Sequence, residues 1–300
     1  MNFGNILNKL DDKFGYFIFK NNNIFSYNLF SYFYEKNIVN SNSELLESYN
    51  KKGYFKGPKI DQNLIEKFKN EIKPQKISKN ENNFTLFNWN DNLRQILGEI
   101  IFNELKSTII KLQKYYNTKI ILTHARIQRN YGYEKKGLEE KFSDNFHNDR
   151  WLSTYLKIFI NLEDIDFNKG PTFIIPRDKK KEFIKMTKYK NRKNYNETDF
   201  EGTFVNIGNS GDTLIFNPAI CLHKAGNPNS NHTRDMLMLQ FSAIPFEKGE
   251  INDLNKIDFS IQDDMLGDHD ELSYKYCKPY GFYKTYQLYQ KFKRNLPNIK

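Results

Sequence analysis

Near Asn117 the spacing of apolar residues changes from a helical to a strand period, and this switch restricts the chain to helices followed by a sheet core. Upstream, Ser41 and Glu44 match a capping box for a helix through Leu45, Leu46 and Tyr49 that ends before Gly53. Asp61 can cap a second helix in which Leu64, Ile65, Phe68 and Ile72 share one face and which Pro74 stops. Asn90 or Asp91 can start a third, longer helix with an apolar stripe of Leu93, Ile96, Leu97, Ile100, Ile101 and Leu105. Downstream, the segments 119–128, 152–162, 172–176, 203–207, 212–218 and 234–244 are short, β-branched or aromatic, and separated by Gly, Pro, Asn and Asp. Short antiparallel strands after a set of helices predict an α+β chain with a double-stranded β-helix core, the jelly-roll or cupin-like sandwich, and the helices packed on it.

A chain of 300 residues is long enough for one large domain with a full core. We expect an N-terminal extension over 1–45, the jelly roll with its helices over 46–250, and a C-terminal elaboration over 251–300. Aromatic residues make up 16% of the chain and supply bulky core material where the hydrophobic share is 38%. No run approaches the roughly 18 apolar residues of a membrane helix, and the N-terminus mixes acids with apolar residues, so the expected compartment is the cytoplasm. Two cysteines, Cys221 and Cys277, are too few for a metal cluster and read as reduced thiols. The formal charge of +10 comes from Lys spread along the chain, with clusters at 177–181 and 188–193. It reads as a solvated face, and nucleic acid is not an expected partner.

The pattern that carries chemistry is His147-Asn148-Asp149, just before a strand-like run, with His223 closing GDTLIFNPAICLH. In extended backbone, residues i and i+2 point to the same side, so the His147 imidazole and the Asp149 carboxylate can converge on one ion, with His223 brought across by a jelly roll. Two imidazoles and one carboxylate on one face of an octahedron leave the opposite face open, the donor set of non-haem Fe(II) oxygenases. With five His and 36 acidic residues among 300, roughly 0.6 His-x-acid tripeptides arise by chance, so context must decide. His269-Asp270-Glu271 fits the same tripeptide but has no strand before it and no later histidine to complete a triad. His124 lies inside a strand and His232 in a turn, and neither has an acid two residues on.

Arg234 follows His223 after the turn-like KAGNPNSNHT, so a hairpin of the two strands would set its guanidinium beside His223. Its planar fork suits the far carboxylate of a dicarboxylate. Lys157, within the apolar LKIFI, and Gln128, on the strand before the metal motif, are further candidates for cofactor contacts in a cavity. Lys157 reads either as an anion ligand or as an edge lysine whose stem covers apolar surface.

On GYFKGPKIDQNLIEKFKNEI, FHND at 146–149, LKIFINLEDIDFNKGPTFIIP and GDTLIFNPAICLHKAGNPNSNHTR, the chain resembles the phytanoyl-CoA dioxygenase-like branch of the Fe(II)/2-oxoglutarate oxygenases over about residues 50–245. The resemblance implies ligation of Fe(II) by His147, Asp149 and His223, binding of the distal carboxylate of 2-oxoglutarate by Arg234, and use of O2 on an unactivated C–H bond. The chain departs from the pattern at Pro176-Arg177-Asp178-Lys179, where many relatives read Pro-Gly-Ser-His, and at Ala225, where some carry a hydroxyl that contacts the co-substrate. Halogenating relatives lose the carboxylate that Asp149 retains, so hydroxylation, desaturation or ring closure is implied.

The expected function is therefore an Fe(II)- and 2-oxoglutarate-dependent dioxygenase that hydroxylates an aliphatic C–H of a small molecule or an acyl- or glycan-type substrate. Two other readings stay open: a non-catalytic jelly-roll binding protein, and a nucleic-acid demethylase of the same superfamily. The demethylase pattern of Arg-x5-Arg after the last histidine is not met, because Gln240 stands where its second arginine would. Substrate choice belongs to loops such as 130–146 and 177–202, and neither it nor the oligomeric state follows from the motifs.

Overall fold

A computed structural model describes residues 44–73, 75, 84–116, 119–132, 145–149, 155–187, 200–243 and 253–267. Nearly all of the expected N-terminal extension, with Ser41, Pro74, the 188–193 cluster, His269-Asp270-Glu271 and Cys277, lies outside these residues.

The helical part follows the apolar spacing. Helix α1 spans Glu44–Lys52 and stops at Gly53. After strand β1, Tyr54–Lys56, comes α2, Gln62–Ile72, where the Asp61 carboxylate accepts from the amides of Asn63 and Leu64 and the buried residues are Leu64, Ile65, Phe68 and Ile72. Strand β2, Phe84–Leu86, precedes α3, Asp91–Glu99, which Asn90 caps by accepting from the Leu93 amide. The helix then passes through a π turn, Ile100–Glu104, into α4, Lys106–Tyr116. Leu93, Leu97, Ile101, Leu105 and Ile109, all fully buried, recur at intervals of four. Against 3.6 residues per turn, each such step over-rotates the stripe by about 40°. One wider turn, closed by the Leu105 amide on the Ile100 carbonyl at 2.9 Å, returns it to the core.

The strands that follow are β3, Ile120–Tyr131; β4, Tyr155–Asn161; β5, Phe173–Ile175; β6, Phe204–Val205; β7, Thr213–Phe216; β8, Leu222–Lys224; and β9, Thr233–Ala243, with helix α5, Lys180–Thr187, between β5 and β6. They form a sandwich of a six-stranded sheet, ordered β1-β7-β4-β9-β3-β2, and a three-stranded sheet, ordered β6-β5-β8. A bridge between His147 and His223 adds one more segment beside β8. This is the expected jelly roll.

Alternation along the strands sorts side chains into three layers. Leu156, Ile158 and Ile160 of β4, Leu237, Leu239 and Phe241 of β9, and Ala125 and Ile127 of β3 pack with the helices. The opposite positions, Phe159, Leu214, Phe216, Met236 and Met238, face the sandwich interior and meet Ile174 of the small sheet. On the back of the small sheet, Phe146, Phe173, Ile175 and Leu222 pack under Phe183 of α5. Beyond β9, residues 253–267 lie along the helices and β3: Gln113 donates to the carbonyls of Leu254 and Lys256, and Leu266 bridges Ala125.

One expectation is corrected. β8 and β9 do not form a hairpin, because β8 pairs with β5 while β9 pairs with β3 and β4. Their connection crosses from one sheet to the other, pinned against the β4–β5 connection where glycines allow backbone to touch backbone. A Cβ on Gly226 would stand 2.4 Å from the Pro171 carbonyl oxygen, and one on Gly170, at φ +65°, 2.3 Å from the Asn227 carbonyl carbon.

Candidate metal centre

His147 and His223 each donate a backbone amide to the other's carbonyl, at 2.9 and 2.7 Å, which sets their imidazoles side by side with ring centres 4.4 Å apart. Two residues on, the Asp149 amide donates to the Pro218 carbonyl at 2.8 Å and ties the segment to the turn before β8. Asp149 Oδ1 then lies 3.6 Å from His147 Nε2 and 3.7 Å from His223 Nε2. The three donor atoms sit within 4.8 Å of one another on nearly buried side chains. Donors held at about 2.1 Å from one ion lie roughly 3–4 Å apart, so the spacing fits a shared cation.

Protonation states fit as well. The His147 Nδ1 lies 2.8 Å from the Asn145 carbonyl, which can only accept, so Nδ1 donates there and Nε2 is turned toward the other donors. Burial first, and then the neighbouring His147, hold the His223 imidazole well below its ordinary range against the pull of Asp149, which keeps it neutral. Burial alone would raise the Asp149 carboxyl. Lys157 above all, with the two imidazoles, outweighs burial and holds it well below the usual carboxylate range. A neutral His223 imidazole and an ionised Asp149 carboxylate are forms that a divalent cation requires.

The ligand segments are also braced from behind. Phe146 and Lys224, the chain neighbours of His147 and His223, point to the back of the small sheet. There the Lys224 ammonium lies 5.1 Å from the ring centres of both Phe146 and Phe173. Phe146 in turn packs edge-on against Phe183.

The interior wall of the large sheet carries the remaining candidates. Lys157 stands on β4 between Phe216 of β7 and Gln240 of β9, and its Nζ donates to Asp149 Oδ2 at 2.5 Å. Gln128 lies opposite Met236, and its Nε2 donates to Asn130 Oδ1 at 3.0 Å. Arg234 lies opposite Asn130 and is 3% exposed, yet its Nε and Nη1 meet no hydrogen-bond acceptor among the described residues. Burial draws its pKa down to about 10, against the attraction of Glu163. The neighbouring carboxylates are engaged elsewhere: Asp235 takes both Nε and Nη2 of Arg129 at 2.7 and 2.6 Å, and Glu163 accepts from the Asp235 amide and from Lys169.

The structure thus brings His147, Asp149, His223 and Lys157 together, and places Gln128 and Arg234 farther along the same wall. His124 stays inside β3, hydrogen-bonded to the Gly267 carbonyl. Sequence reasoning missed Asn145, Asn161, Arg126 and Gln240 as parts of this neighbourhood. For Asn161, Arg126 and Gln240 the signal was a polar side chain at the inner positions of strands whose outer positions are apolar, which needs the strand register to be read.

A jelly roll whose interior gathers two imidazoles and one carboxylate defines a mononuclear metal-dependent oxygenase of the cupin-like class. This chain belongs to the phytanoyl-CoA dioxygenase (PhyH) family, which it matches over residues 27–236. It is an Fe(II)/2-oxoglutarate oxygenase in general kind, with O2 as the second co-substrate and a His-Asp-His donor set suited to iron. Solved structures similar to it include HygX from Streptomyces hygroscopicus with nickel and 2-oxoglutarate bound, at 15% identity and TM-score 0.47, covering 68% of this chain and 87% of that one. They also include SnoK, a non-haem α-ketoglutarate-dependent carbocyclase from nogalamycin biosynthesis, at 12% identity and TM-score 0.45, covering 68% and 85%. A third is the non-haem monooxygenase ThoJ with nickel, at 9% identity and TM-score 0.42, covering 67% and 77%. No curated protein matches the chain. Among the described residues, no helix is long and apolar enough to cross a membrane.

Proposed function

We propose that this protein hydroxylates an aliphatic C–H bond of a small molecule in the cytoplasm, with His147, Asp149 and His223 as iron ligands and Arg234 as the anchor for the far carboxylate of 2-oxoglutarate. The observation that carries this reading is Arg234: a buried guanidinium whose Nε and Nη1 meet no acceptor among the described residues, on the same interior wall as a complete metal-ligand triad. Such a cation is stable only with an anion to meet it, and a dicarboxylate that also reaches the metal supplies one.

When bound, iron with its co-substrate couples O2 reduction to oxidative decarboxylation of 2-oxoglutarate, giving succinate and CO2 and oxidising the substrate C–H. The chain's own residues do the positioning. The Nε2 atoms of His147 and His223 and Asp149 Oδ1 would hold the metal ion. Arg234 offers a planar fork for two parallel hydrogen bonds, Gln128 offers a polar contact along the slot, and Lys157 stands at the metal end. Phe159, Phe216, Met236 and Met238 line the same interior and keep water out. Choice of substrate is assigned to the segments 130–146 and 177–202.

The test is succinate formation from 2-oxoglutarate by the Fe(II)-loaded full chain with ascorbate, which reports uncoupled turnover before the acceptor is known. We expect succinate and, under anaerobic conditions, a visible charge-transfer band that Arg234→Ala abolishes. A folded protein that binds Fe(II) but gives neither band nor succinate refutes the proposal.

A further inference from the structure

We propose that Lys157 is a positioning residue that restricts Asp149 to one-oxygen ligation and so keeps a third position open on the metal. The two carboxylate oxygens of Asp149 have separate tasks. Oδ1 faces both imidazole nitrogens at 3.6 and 3.7 Å, while Oδ2 receives the Lys157 ammonium at 2.5 Å. The pair is largely shielded from solvent, with side chains 13% and 11% exposed, so water competes weakly for either partner.

Both ends of this contact are held in place. Lys157 belongs to a central strand paired on both sides, between Phe216 and Gln240, so its stem leaves the sheet from a fixed point. The Asp149 amide is tied to Pro218. With its main chain fastened and Oδ2 engaged, the carboxylate is held from turning both oxygens onto one ion. A carboxylate bound through both oxygens would take two positions of an octahedron, leaving two beyond the imidazoles; bound through one, it leaves three. Three are what a two-point keto-acid chelate and O2 together need. Lys157 also supplies the charge that a buried carboxylate requires while no cation is bound.

This inference rests on the metal-binding half of the proposed function and not on 2-oxoglutarate, so its test omits the co-substrate. The probe is Mn(II), bound to the full-length protein, with water-proton relaxation counting the waters on the ion and an EPR titration measuring occupancy. Wild type should hold three waters. Lys157→Met, with occupancy matched, should lose about a third of the inner-sphere relaxation, because the freed Oδ2 takes a water's place. Lys157→Arg, which can still reach Oδ2, should restore the wild-type value. If the Met variant does not fold, Lys157→Gln makes the same comparison, since its neutral side chain falls one atom short of Oδ2. Unchanged relaxation in a folded, Mn(II)-loaded Met or Gln variant overturns the proposal, as does an Arg variant that falls equally far. A change seen only after 2-oxoglutarate is added would assign Lys157 to the co-substrate instead and also overturns it. Wild type that takes up no Mn(II) removes the proposed function, and this inference with it.

Discussion

At the histidine end of the interior wall, Asp149 has Lys157 at 2.5 Å and His147 has the Asn145 carbonyl at 2.8 Å. At the other end Arg234 is as deeply buried, and its Nε and Nη1 meet nothing among the described residues. The first end is preassembled, its donors orient one another and its charges balance. The second is incomplete, because Glu163, the acid that attracts Arg234, is drawn off by Lys169 and the Asp235 amide. Leaving a charge buried without its partner costs roughly 3–5 kcal/mol. A fold that keeps such a cost at one place while satisfying its charges elsewhere marks that place for a ligand.

The strongest way to break this contrast is to remove a donor from the preassembled end. Asp149→Ala should weaken Mn(II) binding by more than about 100-fold in an EPR titration, beyond the range seen for outer partners of metal ligands, while the far-ultraviolet circular dichroism stays that of wild type. Binding that survives would mean the triad is not the metal site.

The incomplete end should respond in the opposite sense. Arg234→Met should leave Mn(II) binding within about threefold, reduce 2-oxoglutarate affinity by about 30-fold or more, a loss of roughly 2–5 kcal/mol, and raise the melting temperature of the ligand-free protein. A lower melting temperature would show that Arg234 is satisfied without a ligand, and the contrast would fail.

The pH response sharpens the comparison at the histidine end. The unfolded imidazole of His223 takes up a proton near about 6.5, whereas the folded one is held well below that range. Between the two values the unfolded chain binds more protons, so the stability His223 contributes is lost as pH falls below about 6.5, by at most about 1.4 kcal/mol per pH unit. Urea unfolding of the metal-free protein at pH 7 and 5.5 reads this slope, and His223→Gln should flatten it.

The smallest effect belongs to the staple behind Arg234. Arg129→Leu removes a two-point, partly exposed ion pair with Asp235 between the neighbouring strands β3 and β9 and should cost about 1 kcal/mol. Mn(II) affinity should not change. 2-Oxoglutarate binding should not change either, because Asp235 and Arg234 are adjacent on β9 and point to opposite faces of the sheet.

Much of the scaffold could be read in advance. The Asp61 cap and the buried set Leu64, Ile65, Phe68 and Ile72 follow from local chemistry and a period of 3.6, and the long strands β3, β4 and β9 show their composition over many residues. Strands β1 and β2 did not stand out, because each is three residues long and lies among helices, whereas the equally short β5 stands in a run of strand-like segments. The π turn was likewise hidden. A stripe at intervals of four looks helical either way, and only its burial against the core demands the extra residue.

What the residues alone established is local and compositional: which segments bury a face, where a helix is capped, and that His147 and Asp149 can share one side of an extended chain. Which sheet β8 joins, that His223 meets His147 across a two-bond bridge, that Lys157 takes Asp149 and that Nε and Nη1 of Arg234 meet no acceptor among the described residues were settled by folding. The reason is range. Propensity and period act over a few neighbours, while pairing between strands and the partner of a buried charge depend on groups far along the chain, whose meeting is fixed by the packing of the whole core.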